Sequence, residues 1–595
     1  YDILPFEGQD IFPNMYWYYG QQDMKTAQFL KNEDNIYITF ITNFSCAPDS
    51  FMLHYIKWIM GTKPFLILEL DSHSADAGVD TRVEAFLDII EGYRSKLGEL
   101  HTERYDNGLR FVNTGDENIH IRDEVHNRNI PIRNNPKVRM LVSNMGDLGT
   151  RMVAEVINST GISAIPMPMA DHETIQVARA HSSGKECVPS HLVLGGALKF
   201  LASDQYRKDE IYLLFVPITT GPCRTGQYFV FYENLFRDLR IENVVVFTMS
   251  ADNSYTELGP KFSRHIWWAM LIGDYMKDVE NTLRACAVDP KAAMVEFHRH
   301  FNELVEVAGR DVSKAPQVLK LVSRDLQKVP LRHKMKHAPR VLIVGEIYVR
   351  RDDFAVDELI ELFSHKGIIG KVSGTTEWIH YLDFVRRYDL RKRLKLVPIW
   401  RRLFSEPFRS LVKLKIETAW KHWVENKIKK ALHGSDLLPP VPHNMDKIMQ
   451  NTETHFLSHE LNSEIAISSG VAATAMQHGY SGVVNISPFA CLIGRVIEGI
   501  YTPWARDRKY PIISVEVDGN LLPAGIKSKL NIFMLNVMRF RQNPGLAELV
   551  ELPEETPVDD APADQLSAAP GAAINGTTHE EQKAAIREMQ SIGKK

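Results

Sequence analysis

Apolar runs short enough for strands, each followed by a helical period, recur along most of the chain. Residues 36–90 read strand, helix, strand, helix in "NIYITFITNFSC", "DSFMLHYIKWIM", "KPFLILELD" and "DTRVEAFLDIIEGYRSKL". After a polar stretch, "VRMLVSNMGDLGTRMVAEVINSTGISAIPMP" predicts a buried strand, a glycine turn, a helix and another strand, the pattern of a βαβ unit. "IYLLFVPITT" and "NVVVFTMS" are almost wholly apolar, as parallel strands covered on both faces are. Residues 260–335 carry a helical pattern. A second α/β unit opens at "PRVLIVGEIYVR" and resumes at "SGVVNISPFAC" and "KYPIISVEVDG", with a long helical insertion between.

The patterning predicts an α/β protein with parallel sheets. Residues 1–104 read as the final part of a first lobe, and 105–136 as a linker. Residues 137–338 read as an α/β subdomain with a helical extension, and 339–545 as a second one carrying a basic insertion at about 375–435. The stretch 546–595 is rich in Ala, Pro, Asp, Glu and Gly and predicts a disordered tail. The chain opens at Tyr1 on what reads as mid-domain sequence, so a fragment or a processed chain is expected.

Composition narrows the class. A length of 595 residues exceeds what one core fills. A net charge of −4 points to neither a nucleic-acid partner nor a general affinity for membranes. Apolar runs stay well short of the roughly 18 residues that a span needs. No transmembrane segment or signal peptide is expected, and five scattered cysteines favour a reducing, cytoplasmic setting over a disulfide scaffold.

The cysteines repeat a setting. Aligning the segment that begins "ITNFSCAPDS" with the one that begins "VNISPFACLIG" pairs Cys46 with Cys491 and Asp71 with Asp518. The interval from each Asp to a glycine (Gly78, Gly525), and from there to a phenylalanine (Phe86, Phe533), is the same in both. This is an internal duplication. Cys187 in "SSGKECVPSHLVLGGALKFL" and Cys223 in "GPCRTGQY" also sit where a helix begins. Helix N-termini offer unpaired N–H groups that stabilise thiolates, and strand-to-helix turns of a parallel sheet gather at one edge. Cys187, Cys223 and Cys491 can therefore converge on a metal group. Zinc sites usually carry close Cys-x2-Cys pairs, which are absent here, so iron–sulfur is favoured over zinc. The competing reading is three buried small apolar residues. Cys286, at a helix end, reads as structural.

Other polar groups say less. "FHRHFNEL" sets His300 and Glu303 on one helix face, the "GDLGTR" turn offers a weak phosphate cradle, and Arg224 beside Cys223 is a source of positive charge. The basic stretch 386–430, with Trp, Phe and Leu interleaved, reads as an amphipathic cap whose apolar face covers the site, with partner docking as the alternative.

Taken as a set, "SGKECVPSHLVLGGALKFL", "GPCRTGQY", "VLIVGEIYVR", "NISPFAC" and "LELDSHSADAGVDTRVEAFLD" resemble the large acyl-CoA dehydratase activase-related proteins. Their cysteine-bearing part is similar to the D-component of 2-hydroxyacyl-CoA dehydratases and benzoyl-CoA reductases. The resemblance spans roughly 1–100 and 135–545. It implies paired flavodoxin-like subdomains around a [4Fe–4S] cluster ligated by Cys187, Cys223 and Cys491, with Cys46 matching the third cysteine of the preceding lobe. It also implies an ATP-hydrolysing activase partner that drives low-potential electrons into the cluster, acyl-CoA as substrate class, and a homodimer or larger complex. "LIGRV" after Cys491 departs from the Met-Pro-Gly frequent there, and no G-x-x-x-x-G-K-[ST] occurs, so the ATPase is expected in another domain or chain. The alternative is a scaffold with a structural cluster or zinc.

Overall fold

The structure is a computed structural model that describes residues 15–43, 48–97, 105–113, 118–219, 221–251, 254–440, 444–461, 463–520 and 522–542. Cys46 and the expected tail, 546–595, lie outside them. Near the start, β1 (Thr39–Thr42) and β2 (Leu66–Glu69) pair in parallel, with Thr39 opposite Leu66. The helix Asp49–Met60 connects them and Asp76–Ser95 follows. Phe51, Tyr55 and Ile56 of the connecting helix bury their side chains in one core with Tyr228, Phe231 and Tyr232.

The segment read as a linker folds instead. β3 (Leu109–Asn113), β4 (Ile119–Asp123) and β5 (Arg128–Pro131) form an antiparallel sheet. Only one face is apolar: Ile119 and Ile121 are buried against Phe247 and Met140, while His120 and Arg122 face outward. The β4–β5 turn is closed by the Asp123 carboxylate accepting from His126 N–H at 3.0 Å and by Asn127 in the left-handed region at φ 50°. Its polar composition concealed the alternation.

Two four-stranded parallel sheets carry the rest. The first holds β6 (Val138–Val142), β7 (Ser163–Pro166), β8 (Ile211–Ile218) and β9 (Val244–Ser250) in the order β7-β6-β8-β9. The second holds β10 (Arg340–Gly345), β11 (Ile369–Val372), β12 (Gly482–Pro488) and β13 (Ile512–Val517) in the order β11-β10-β12-β13. Each order is the flavodoxin-like one, and it reverses between the first and third strands, where doubly wound sheets bind ligands. Tandem flavodoxin-like α/β/α units thus form the body of the protein.

The duplication is visible in this frame. β12, the helix Leu492–Asp507, β13 and the helix Ala524–Gln542 repeat the order of β1, Asp49–Met60, β2 and Asp76–Ser95. Asp71 accepts from His73 N–H at 2.9 Å and Asp518 from Asn520 N–H at 3.0 Å, the same turn closing both strands. Phe86 and Phe533 are both buried.

The helix Pro260–Cys286 is buried along most of its 27 residues and ties the two sheets together by charge. Lys277 meets Asp353 at 2.7 Å, Asp278 meets Lys371 at 2.8 Å and Asp274 meets Arg351 at 3.1 Å. Asp147 N–H at the "GDLGTR" turn donates to the Asp353 carboxylate at 2.7 Å, so that helix start already holds an anion rather than presenting an open phosphate cradle.

The insertion consists of the helices Thr375–Leu396 and Glu406–Leu432, packed on Pro260–Cys286. Its first turns reach the interior: Glu377 lies 3.6 Å from Arg350, and Tyr381 hydroxyl accepts from Ser463 N–H at 2.9 Å. Its far end differs from the expected cap. Leu396, Trp400 and Phe404 are 86%, 72% and 84% exposed, so apolar side chains there cover nothing.

Candidate functional site

The three cysteines of the two sheets each stand immediately before a helix. Cys187 precedes Val188–Leu201, Cys491 precedes Leu492–Asp507, and Cys223 precedes the turn Arg224–Gln227 that runs into Tyr228–Asp238. All three have extended backbones, as residues at that position do. Cys223 follows β8 and Cys491 follows β12, the third strand of each sheet, so both lie at a point where strand order reverses. Pro189 in the first turn after Cys187 supplies the helical φ without losing a needed donor. Ala490, before Cys491, holds φ 54°, a left-handed conformation that costs an alanine about 1 kcal/mol and aims the next residue.

Arg224 joins the three. It is 7% exposed, and its guanidinium reaches Ser50 Oγ and the Ala490 carbonyl, each at 3.5 Å. Among the described residues no carboxylate lies within 4.0 Å of it. Burial alone would lower its pKa, but Cys187, Tyr228, Cys491 and Cys223 together raise it. Arg224 interacts through its charge with each of the three thiols, and Cys223 with both Cys187 and Cys491, so these three of the four sequence-predicted cysteines share one neighbourhood around the guanidinium.

Burial dominates the thiols. It raises Cys187 and Cys491 and pushes Cys223 up to about 12. The N–H groups of Ser190, Thr225 and Gly494 pull the same sulfurs down, although none completes a regular capping bond. Tyr228 hydroxyl lies in contact with Cys187 Sγ, and Thr225 Oγ1 is 3.2 Å from Cys223 Sγ. Left alone, these groups are protonated thiols beside a buried cation that no described carboxylate approaches within 4.0 Å, although its charge is felt by Glu346.

That arrangement fits an anionic metal–thiolate group. Isolating a guanidinium costs several kcal/mol unless an anion accompanies it. Thiolates of the three cysteines, formed where a metal displaces their protons, would supply such an anion. The sulfurs are not all within 4.8 Å of one another. Zinc–sulfur bonds of about 2.3 Å would need them at roughly 3.8 Å, so the three sulfurs as they stand do not form a ready site for one ion.

Two carboxyls at the same edge had no flag in the sequence. Glu346 follows β10 and accepts from Tyr348 and Val349 N–H at 3.1 and 2.8 Å. Glu464 opens the helix Glu464–Gln477 and accepts from Ile347 N–H at 3.1 Å. Burial, then the neighbouring Glu346, pushes Glu464 up to about 8. Glu346 is raised by burial as well, against the pull of its backbone donors. Gly345, between strand and Glu346, has φ 115°, and a Cβ there would sit 1.9 Å from the Ile486 carbonyl. The signal available was an acidic residue directly after an apolar strand.

The first-lobe segment also reaches the site. Glu186, next to Cys187, contacts His54 of Asp49–Met60 and lies 3.1 Å from His191 Nε2. Burial opposes its charge, but hydrogen bonds from His191, His54 and Ser183 hold its carboxyl well below the usual range.

The remaining candidates stand apart. Cys286 is buried in a small apolar cluster with Met335, Ala338 and Ile369. His300 faces Glu296 at 3.0 Å and Glu303 at 3.5 Å in an ion-pair network with Arg299. Among the described residues it joins no group of three donors close enough for one ion. No helix among them is long and apolar enough to cross a membrane. No family model matches the chain, and no curated protein matches it.

Proposed function

We propose that Cys187, Cys223 and Cys491 hold a [4Fe–4S] cluster beside Arg224. The chain then acts as a redox module of the 2-hydroxyacyl-CoA dehydratase and benzoyl-CoA reductase D-component kind, taking part in ATP-driven low-potential electron transfer to acyl-CoA-type substrates. ATP hydrolysis comes from another domain or chain, and the free thiols fit a reducing cytoplasm. The observation that carries the reading is Arg224, a buried cation with no described carboxylate within 4.0 Å, whose charge is felt by three cysteines that each stand at a helix N-cap position.

When bound, the cluster supplies a one-electron couple and, with three cysteine ligands, one iron open to another donor. The protein's own groups do the rest. Arg224 offsets the negative charge of the thiolates and favours the reduced state. Tyr228 hydroxyl donates to Cys187 sulfur. Glu464, with its pKa near 8, keeps a proton on its carboxyl at neutral pH beside Cys223 and Cys491. The test is electron paramagnetic resonance of the anaerobically reconstituted chain before and after dithionite. A reducible paramagnetic signal supports the redox module; a metal that dithionite leaves unchanged favours a structural scaffold and overturns the electron-transfer role.

A further inference from the structure

The helical insertion carries a second cluster of donor atoms, away from the cysteines. His380 stands in the second turn of Thr375–Leu396, while His422 and Glu425 stand one turn apart on Glu406–Leu432. One ligand atom from each lies within 4.8 Å of both others, and among the described residues this is the one such trio. His380 Nε2 is 3.4 Å from Glu425 Oε2, and the two imidazole rings stack with centroids 5.0 Å apart.

From this geometry we infer that His380, His422 and Glu425 bind a zinc-class divalent cation that staples the two insertion helices together. Two imidazoles and one carboxylate with a fourth position left for water is a common zinc donor set. The surroundings orient the ligands as outer partners of metal sites do. Glu425 Oε1 accepts from Tyr275 hydroxyl at 2.8 Å and from Lys429 Nζ at 3.1 Å, which turns Oε2 toward the histidines. Trp267 sets its ring edge against His380, at 5.0 Å and 87°, and limits that imidazole's rotation. His380 and Glu425 side chains are 10% and 5% exposed, whereas His422 is open to solvent. The ion therefore has an entry path from the solvent side.

The cysteines are the obvious competitors for a metal, and cobalt distinguishes the two sites. Cobalt(II) on imidazole and carboxylate gives visible d–d bands without the near-ultraviolet charge transfer of cobalt–thiolate. Titrating the full chain with Cys187, Cys223 and Cys491 all changed to Ser is expected to show one equivalent with d–d bands alone. His422→Ala, at an exposed position that folding tolerates, is expected to weaken that binding by more than tenfold. Tyr275→Phe, which keeps all three ligands, is expected to weaken it by about tenfold, the scale for losing an outer partner. Zinc should raise the melting temperature of the starting protein but not of the His422→Ala variant. Absence of the d–d bands, or binding unchanged in both His380→Ala and His422→Ala, overturns the site.

Discussion

Arg224 Nη2 lies 3.5 Å from the carbonyl oxygen of Ala490, the residue that precedes Cys491, across 266 positions of sequence. One guanidinium thereby links the third-strand turns of both parallel sheets, and its charge is felt at every thiol of the pocket. The consequences divide between the metal-free protein and the loaded one.

Replacing Arg224 by Met should have opposite effects on the two forms. Metal-free protein loses a buried cation with no described carboxylate within 4.0 Å, so its unfolding free energy should rise by about 1–3 kcal/mol, the scale for a buried polar group without a close partner. The iron-loaded form loses a counter-charge, so its midpoint potential should fall by tens of millivolts. Urea unfolding of the first and a redox titration of the second measure these. Destabilisation of the metal-free protein would show that the attraction between Arg224 and Glu346 outweighs the cost of burying the guanidinium.

Tyr228→Phe removes one hydroxyl and leaves a ring of nearly the same volume stacked on Phe51 at 5.6 Å. Iron content should be retained, and the midpoint potential should shift negative by tens of millivolts, because a donor to a ligating sulfur is gone. An unchanged potential would remove Tyr228 from the account.

Glu464 gives a pH dependence of definite sign. Its carboxyl rises from 4.5 to about 8 on folding, so between those values the native protein binds more protons than the unfolded chain. Its contribution is complete below about 4.5 and is lost as pH rises through 8. Glu464→Gln, which keeps an oxygen for Ile347 N–H, should flatten the stability profile over that window. Urea melts at pH 5, 7 and 8.5 test this; parallel profiles for the two proteins would contradict it.

Glu186 behaves in the reverse sense. Its folded pKa lies below 4.5, so its stabilisation is present at neutral pH and is lost on acidification. Glu186→Gln should cost about 1–3 kcal/mol at pH 7 by weakening the buried hydrogen bonds to His54, His191 and Ser183. The loss should shrink toward pH 3 in the same assay.

The parts of the site legible in sequence were those written in turn chemistry. Cys187, Cys223 and Cys491 each fall between an apolar strand or a Gly/Pro turn and a helical period, and that pattern alone predicts a helix-capping position. Asp71 and Asp518 were readable for the same reason, since each closes a strand with a short local hydrogen bond. Glu346 and Glu464 were not, because burial of a charge depends on what other elements bring. Their helix starts come together only once β10 and Glu464–Gln477 pack side by side. The sheet β3–β5 was hidden by outward-facing charges, and the exposure of Trp400 and Phe404 by a composition that equally suits a covering helix. The metal-type trio at His380 also escaped notice, as its donors lie on two helices more than forty residues apart.

The most direct test of the cluster proposal is iron and acid-labile sulfide analysis after anaerobic purification and reconstitution. The comparison is between the wild-type chain and three variants, Cys187→Ala, Cys223→Ala and Cys491→Ala. The account predicts a [4Fe–4S] stoichiometry, about four irons and four sulfides per chain, falling sharply in each variant while Cys286→Ala keeps the full complement. Iron content indifferent to the three cysteines, or zinc in place of iron and sulfide, would contradict it.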